Sequence, residues 1–192
     1  MKITHEFDVE RPPDAVWDFL QDIPQVASCM PGAELTEDKG DGVYAGKVSV
    51  KLGAMNATFE GEATVRPNPE TRRCVISGRG ADRRGGSRGQ VEIEYALADA
   101  GAGTHVTVDA DVKLSGAAAQ FGRQGIIAEM SNRLIREFAE CLEGKLGATT
   151  PEEAAAIRAG EVRGFPLFFA SLWSSIVKFL RRTFGGRRND QS

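Results

Sequence analysis

The chain has 192 residues, of which 41% are hydrophobic and 27% charged, a composition that fits a globular protein and excludes an intrinsically disordered one. Its net charge of −3 is unevenly divided. Six basic and two acidic side chains lie in residues 161–192, so this segment carries +4 and the first 160 residues carry −7. An acidic body argues against nucleic-acid binding.

The N-terminus and the cysteines bear on the cellular compartment. Residues 1–10 contain no charged segment followed by an apolar one, which predicts that there is no secretory signal. Cys29, Cys74 and Cys141 share no motif spacing. We therefore predict three reduced, mostly buried thiols in a cytosolic protein.

The first predicted elements are one strand and two short helices. Apolar residues alternate with polar ones from Ile3 to Val9, as in a half-buried strand. Pro13 suits a helix start, and helices are predicted over 15–22 and from about 24 to 29. The Pro–Gly pair that follows predicts a turn.

The middle of the chain predicts an antiparallel sheet. Apolar and polar residues alternate strictly, and polar outer faces are typical of a sheet that is covered on one side only. The predicted strands are residues 44–52, 55–65, 74–79, 91–97 and 104–114.

A long helix is predicted next, from about residue 117 to 146, with Gly122 and Gly125 as candidates for a bend. At about 45 Å it would cross the whole sheet. The sequence therefore predicts an α+β helix-grip fold, in which a curved antiparallel sheet surrounds one long C-terminal helix. We divide the chain into a ligand-binding domain (1–147), a linker with some helix (148–164) and a tail (165–192).

The tail has the pattern of an amphipathic membrane-binding helix. Ser171, Ser174, Ser175, Lys178, Arg181 and Arg182 form a narrow polar stripe on a helical wheel, and apolar residues cover the rest. Its 16-residue apolar run is short for a bilayer span. We predict peripheral binding at the cytoplasmic face, with spanning and packing against a partner helix as alternatives. The predicted membrane-binding residues are Phe168, Phe169, Leu172, Trp173, Ile176, Lys178, Phe179, Leu180, Arg181, Arg182, Arg187 and Arg188.

The inward face of the predicted sheet contains unusually small residues: Gly46, Ala57, Gly61, Ala63 and Gly78. Small residues either leave an apolar cavity between sheet and helix or allow the sheet to bend sharply. We predict a cavity, with the bend as the alternative. Its predicted lining is Tyr44, Val48, Met55, Ala57, Phe59, Gly61, Ile76, Ile93, Tyr95, Phe121, Gly125, Met130 and Leu134.

The sequence offers little for catalysis. It has no paired carboxylates, no nucleophile elbow and no metal-ligand cluster. We expect His5 to be a hydrogen-bonded core residue and His105 to point outward. Tyr44 and Tyr95 either have structural roles or donate a hydrogen bond to a ligand carbonyl. The absence of a catalytic constellation predicts a binding protein.

The glycine- and arginine-rich segment from Gly78 to Gly89 lacks the spacing of a phosphate-binding loop. We interpret it as a flexible hairpin tip. Its arginines offer an alternative, a docking patch for an acidic partner, formed by Arg79, Arg83, Arg84 and Arg88.

Four segments resemble the carbon monoxide dehydrogenase G-subunit family of the START-like, polyketide-cyclase-like superfamily: PPDAVWDFLQD, SCMPGAE, YAGKVSVKLG with ATFEGEATV, and GTHVTVDADVKLSGAAAQFGRQ. The resemblance covers residues 2–146. It implies a helix-grip fold with a hydrophobic cavity, a non-catalytic role beside a molybdenum hydroxylase, and no molybdenum, flavin or iron–sulfur ligands.

Together these features predict a membrane-tethered carrier of a hydrophobic ligand. A molybdenum hydroxylase must pass electrons to an acceptor, and a quinone (menaquinone or ubiquinone) is the lipid-soluble candidate. The alternatives are a recruitment or assembly factor without cargo, a carrier of another lipid, and an enzyme that acts on small hydrophobic substrates.

Overall fold

The computed structural model describes residues 1–52, 55–82, 84, 86–123 and 126–159, with the backbone only at 51, 52, 55, 121–123 and 126. The elements are, in chain order, β1 (Lys2–Val9), α1 (Pro13–Gln21), α2 (Ile23–Cys29), β2 (Ala33–Gly40), β3 (Val43–Leu52), β4 (Met55–Asn68), β5 (Arg73–Asp82), β6 (Ser87–Ala100), β7 (Gly103–Ser115), a 3-10 helix (Gly116–Arg123), α3 (Ile126–Gly147) and α4 (Pro151–Ala156).

Within these ranges, seven strands form one sheet in the order β1-β7-β6-β5-β4-β3-β2. Every neighbouring pair is antiparallel, and β2 to β7 follow one another as hairpins. Because β1 pairs with β7, the first strand lies beside the last. The predicted antiparallel sheet is therefore confirmed, and its strands are mostly longer than predicted.

Strand β2 is the one element of the sheet whose sequence pattern does not predict it. Two register shifts, between Leu35 and Glu37 and between Asp38 and Gly40, interrupt its pairing with β3. Such bulges destroy the period of two that a regular strand shows. The charged residues of β2 suit its position at the edge of the sheet, where charge opposes pairing with another chain.

The two short helices are confirmed with small shifts in their bounds. Helix α1 has Pro13 at its first turn, where a missing N–H costs no hydrogen bond, and it buries Val16, Phe19 and Leu20. The Asp22 carboxylate caps α2 by accepting a hydrogen bond from the backbone N–H of Gln25 at 3.1 Å.

The single helix predicted for residues 117–146 is wrong. A 3-10 helix occupies Gly116–Arg123, and α3 then runs for 22 residues, about 33 Å. The chain leaves β7 through Gly116, whose φ of +70° places it in the left-handed region. The backbone N–H of Ala118 then donates to Ser87 Oγ at 3.1 Å. This hydrogen bond holds the 3-10 helix against the start of β6, so the 3-10 helix and α3 form two separate elements.

The prediction of three free thiols is also wrong. Cys29 of α2 and Cys141 of α3 form a disulfide with a Cα–Cα distance of 5.5 Å and a sequence separation of 112 residues, whereas Cys74 is a buried free thiol. The fold places α2 against the C-terminal half of α3, and this contact brings together two cysteines that have no motif spacing. The disulfide joins the two helices inside the core.

Part of the predicted linker packs on the domain. The Thr150 hydroxyl caps α4 by accepting from the backbone N–H of Glu153 at 3.2 Å. Beyond α4, Ile157 packs against the core, and the backbone N–H of Ala159 donates to the carbonyl of Ser28 at 3.2 Å. Gly160 and the predicted tail (165–192) lie outside the described residues.

The main core fills one end of the sheet's inner face, which we call the core end. It joins the C-terminal ends of β1 and β6 and the N-terminal ends of β5 and β7 to α1, α2 and the second half of α3. Its buried residues are Val9, Val16, Phe19, Leu20, Cys29, Cys74, Tyr95, Leu97, Val106, Phe138, Cys141 and Leu142.

Candidate ligand-binding site

The other end of the inner face, which we call the open half, is apolar but only partly covered. We define it by the inward side chains that lie outside the main core: Val48, Phe59, Ala63, Val91, Ile93, Val112 and Leu114. Val48 is 44% exposed, and the other six are half-buried. Large apolar side chains on the inner face of a sheet are normally buried, so their exposure indicates that the described part of the chain does not fill the space above them.

The position of α3 explains why this space exists. The helix packs most closely against β1, α1, α2, α4 and the 3-10 helix. Strands β3, β4 and β5 are not among its close neighbours in the described part of the chain. Because α3 lies along the β1 side of the sheet, it covers the open-half residues of β3 and β4 less closely than the second half of α3 covers the core end.

Several predicted cavity residues do lie around the open half. Val48, Phe59 and Ile93 belong to it, and Tyr44 lies beside Ala63 in the β3–β4 register. Met130 and Leu134 on α3 are half-buried and lie outside the main core. The side chains of Met55 and Phe121, and all of Gly125, lie outside the described residues.

Three other predicted residues lie elsewhere or are fully covered. Ile76 packs against the main core, Tyr95 is 7% exposed within it, and Ala57 is buried opposite Val50. Apolar and polar residues alternate in the same way along the whole length of a strand. The sequence pattern therefore does not show which inward residues belong to the core end and which to the open half.

Tyr95 uses its hydroxyl inside the core. The hydroxyl oxygen accepts a hydrogen bond from the Gln21 side-chain amide at 3.2 Å, and the ring lies 6.3 Å from that of Trp17. Burial, and then the neighbouring Cys74 thiol, raise the pKa of Tyr95 above its ordinary value. Burial likewise raises the pKa of Cys74, which disfavours the reactive thiolate. Both groups therefore stabilise the core.

The two histidines occupy the positions that the sequence predicts. His5 is half-buried, and its Nε2 lies 3.0 Å from Ser131 Oγ on α3. Because the Ser131 hydroxyl donates to the Ala128 carbonyl at 2.9 Å, Nε2–H of His5 donates to Ser131. His105 points outward and contacts the Asp8 carboxylate at 2.7 Å.

Four glycines form one row across the sheet, a feature that periodicity alone does not predict. In the strand registers Gly46 pairs with Gly61, Gly61 with Gly80 and Gly80 with Gly89. We call these four residues the glycine row. The alternation predicts an inward position for Gly46 and Gly61, whereas Gly80 and Gly89 lie in the segment predicted as a hairpin tip, and only the register shows that the four are adjacent.

The glycine row allows close backbone contact, and at Gly61 there is no room for a side chain. A Cβ on Gly61 would lie 1.9 Å from the Arg79 carbonyl oxygen and 2.6 Å from the Gly80 Cα. A Cβ on Gly89 would instead meet Leu114 at 3.5 Å and the Phe59 ring at 3.7 Å, which is ordinary contact. Gly61 therefore serves the close approach of β4 and β5 and does not leave empty space, whereas the Phe59 ring lies against Gly89.

Two properties of the described residues limit what they can do. They contain no group of three or more histidine, cysteine or acidic side chains placed to hold a metal ion. They also contain no helix with the length and apolarity needed to cross a bilayer.

A curved antiparallel sheet around a C-terminal helix defines the helix-grip fold of START-like proteins. A family model described as the G-subunit of carbon monoxide dehydrogenase (CoxG) matches residues 6–147. The chain therefore belongs to the CoxG family, as its four resembling segments predict. No curated protein sequence matches the chain.

Solved structures confirm the fold. A conserved protein from Geobacillus kaustophilus has a TM-score of 0.68 at 17% identity, over 76% of this chain and 95% of that one. The Zhui aromatase/cyclase from Streptomyces has a TM-score of 0.54 at 18% identity, over 76% and 93%. The human StarD13 lipid transfer and protein localization domain has 0.50 at 13%, over 72% and 75%. At these identities the similarity establishes architecture alone.

Proposed function

We propose that this protein carries a hydrophobic ligand and delivers it to a molybdenum hydroxylase of the carbon monoxide dehydrogenase type. The observation that carries the proposal is the open half, a partly covered apolar face inside a helix-grip fold. A ligand that covers this face removes apolar surface from water, at about 25 cal/mol per Å². Membership of the CoxG family supports the choice of partner.

A respiratory quinone, menaquinone or ubiquinone, is the ligand that this role favours. The hydroxylase oxidises its substrate and must transfer the electrons, and a quinone is an acceptor that dissolves in the membrane. An apolar site that binds the quinone would bring it to the enzyme without redox chemistry by the carrier. The protein is then a non-catalytic accessory that contributes no metal, flavin or iron–sulfur ligand.

The predicted tail supplies the membrane contact in this proposal. It would bind peripherally at the cytoplasmic face, where anionic lipids attract basic side chains. Holding the carrier at the membrane raises its effective concentration near a lipid-soluble ligand.

Filling the open half separates carriage from recruitment alone. Ala63 is half-buried on the inner face, between Tyr44 on β3 and Gly78 on β5. We expect Ala63→Phe to occupy ligand space and to reduce the quinone that copurifies by about tenfold or more, because it replaces contacts that the ligand would make. Mass spectrometry of the lipid extract measures this.

The matched control is Thr64→Phe, which places the same ring on the outer face of the same strand. Thr64→Phe should copurify as much quinone as the wild type, and both variants should still associate with the hydroxylase. Equal quinone in Ala63→Phe and wild type, with both folded by circular dichroism, would refute carriage in the open half. Electron transfer that survives Ala63→Phe would favour recruitment without cargo.

The tail gives a second expected result. A chain that ends at residue 163 should remain folded and lose binding to phosphatidylglycerol vesicles. Neutralising Lys178, Arg181, Arg182, Arg187 and Arg188 to glutamine should weaken binding at low salt by roughly 1 kcal/mol per side chain and flatten its salt dependence. Vesicle sedimentation checks both, and unchanged binding of the truncated chain would show that the anchor lies elsewhere.

A further inference from the structure

The outer face of the sheet contains a groove of about 590 Å³ that the proposed function does not use. It is open to solvent and lies on the opposite side of the sheet from the open half. Its lining is Thr36, Ala45, Gly46, Lys47, Glu60, Gly61, Glu62, Arg79, Gly80, Ala81, Arg88, Gly89 and Gln90. All of these residues belong to the described part of the chain.

The glycine row produces this groove. Each of its four glycines lies in the lining, together with both of the residues that flank it along the strand. Flanking residues on a strand point to the outer face when the glycine faces inward. The glycine backbone therefore forms the floor of the groove, and the flanking side chains form its two walls.

Glu62 and Arg79 lie on the first wall, and Lys39 contacts Glu62 from outside the lining. The Glu62 carboxylate accepts hydrogen bonds from Lys39 at 2.5 Å and from Arg79 at 3.3 Å. These two donors, Lys39 first, hold the pKa of Glu62 below its ordinary value. The negative charge of Glu62 is therefore compensated by two cations. Over the whole lining, three cations (Lys47, Arg79 and Arg88) outnumber two carboxylates (Glu60 and Glu62).

Arginine dominates the end of the groove at the β5–β6 hairpin. Between Gly78 and Gln90, the exposed charged side chains that the structure describes are Arg79, Arg84 and Arg88. Asp82, the acidic residue of this segment, is buried and accepts from the Arg84 backbone N–H at 2.9 Å. Arg88 makes no ion pair within the described residues.

This basic end stands out against an acidic body. The first 160 residues carry a net charge of −7. The outer face of β6 and β7, farther from the glycine row, presents Glu92, Glu94, Asp109 and Asp111. A local patch of opposite sign orients an incoming charged partner and raises its association rate.

We propose that the outer groove is a docking site for an acidic segment of a partner protein, with Arg79 and Arg88 as its principal contacts. Charged walls and an open shape do not suit a small apolar ligand, which is bound in enclosed apolar pockets. Arginine forks pair with carboxylates through two parallel hydrogen bonds. This inference does not depend on the identity of the ligand in the open half.

The test uses the full chain and a fluorescein-labelled peptide of alternating glutamate and alanine, measured by fluorescence anisotropy at low salt. The double variant Arg79→Glu/Arg88→Glu should bind the peptide about tenfold or more weakly, because it places like charges opposite one another. It should gain affinity for the lysine version of the same peptide.

The matched control is Arg66→Glu/Arg136→Glu, which changes the net charge equally at exposed positions away from the groove. It should change peptide affinity by less than about twofold. The basic tail is the same in both variants and therefore contributes equally to their peptide binding. An equal loss in the two variants would overturn the proposal.

Two other results would also overturn it. If the groove variant loses binding to phosphatidylglycerol vesicles but still binds the peptide, the groove contacts membrane. A groove variant that alters only the oligomeric state in analytical ultracentrifugation would overturn it as well, because the occupant would then be a second copy of the chain.

Discussion

Replacing Gly61 by alanine is expected to lower the free energy of unfolding by about 4 kcal/mol or more, which is among the largest effects of a single substitution. The added Cβ would lie 1.9 Å from the Arg79 carbonyl oxygen and 2.6 Å from the Gly80 Cα. Both contacts are with backbone, so rotamer changes cannot relieve them. Relief requires β4 and β5 to separate, which breaks their hydrogen bonds. Urea denaturation followed by circular dichroism measures the loss.

Gly89→Ala is the matched control, because Gly89 is in the same row and its Cβ would make contacts of 3.5 Å or longer with the Leu114 and Phe59 side chains. Alanine restricts the unfolded chain more than glycine does, so we expect a change within about 1 kcal/mol in either direction. Equal losses for the two variants would show that the close backbone approach at Gly61 is not the cause. If Gly61→Ala is strongly destabilising, substitutions at Gly61 test folding and cannot be used to test ligand binding.

Reducing the Cys29–Cys141 disulfide is expected to lower the free energy of unfolding by about 3 to 5 kcal/mol. The bond closes a loop with a sequence separation of 112 residues, and such a long cross-link strongly restricts the unfolded chain. Denaturation with and without dithiothreitol measures the loss. Because Cys29 and Cys141 are 0% and 5% exposed, reduction should be slow under native conditions and needs incubation in denaturant.

Two variants isolate the cross-link. Cys29→Ala/Cys141→Ala should have a stability that does not respond to dithiothreitol, whereas Cys74→Ala should respond as the wild type does, since Cys74 is a free thiol. If the wild type shows no response after complete reduction, the cross-link does not contribute to stability. A response that persists in the double variant would assign the effect to another residue.

Periodicity was sufficient to predict most of the fold. Strict alternation predicted the long strands β3, β4, β6 and β7, because each has one face toward the protein and one toward solvent. Pro13 predicted the start of α1. Edge strand β2 was missed because its bulges and its charged residues remove the periodic signal.

The features that the sequence did not predict depend on distant contacts. The predicted single helix divides where Gly116 and Ser87 fix a separate 3-10 segment, a contact between residues far apart in sequence. The disulfide depends on the packing of α2 against α3. The glycine row depends on strand register, which alternation alone does not specify.

The sequence predicted that the candidate site lies on the inner face of the sheet, but it did not predict which end of that face is open. Tyr95 and Val48 share the inner face, yet Tyr95 lies in the core and Val48 is 44% exposed. The difference arises because α1, α2 and the second half of α3 cover one end only. Family resemblance predicted a cavity, and the placement of α3 locates the accessible apolar surface that supports it.

The most direct test of the proposed carrier role is to identify what the protein binds in its own membranes. We would purify the full chain without detergent from its native source and analyse the organic extract by mass spectrometry, with Ala63→Phe purified in parallel. We expect menaquinone or ubiquinone at near-stoichiometric amounts in the wild type and its loss in the variant. A wild-type extract that contains only phospholipid, or no ligand, would contradict quinone carriage.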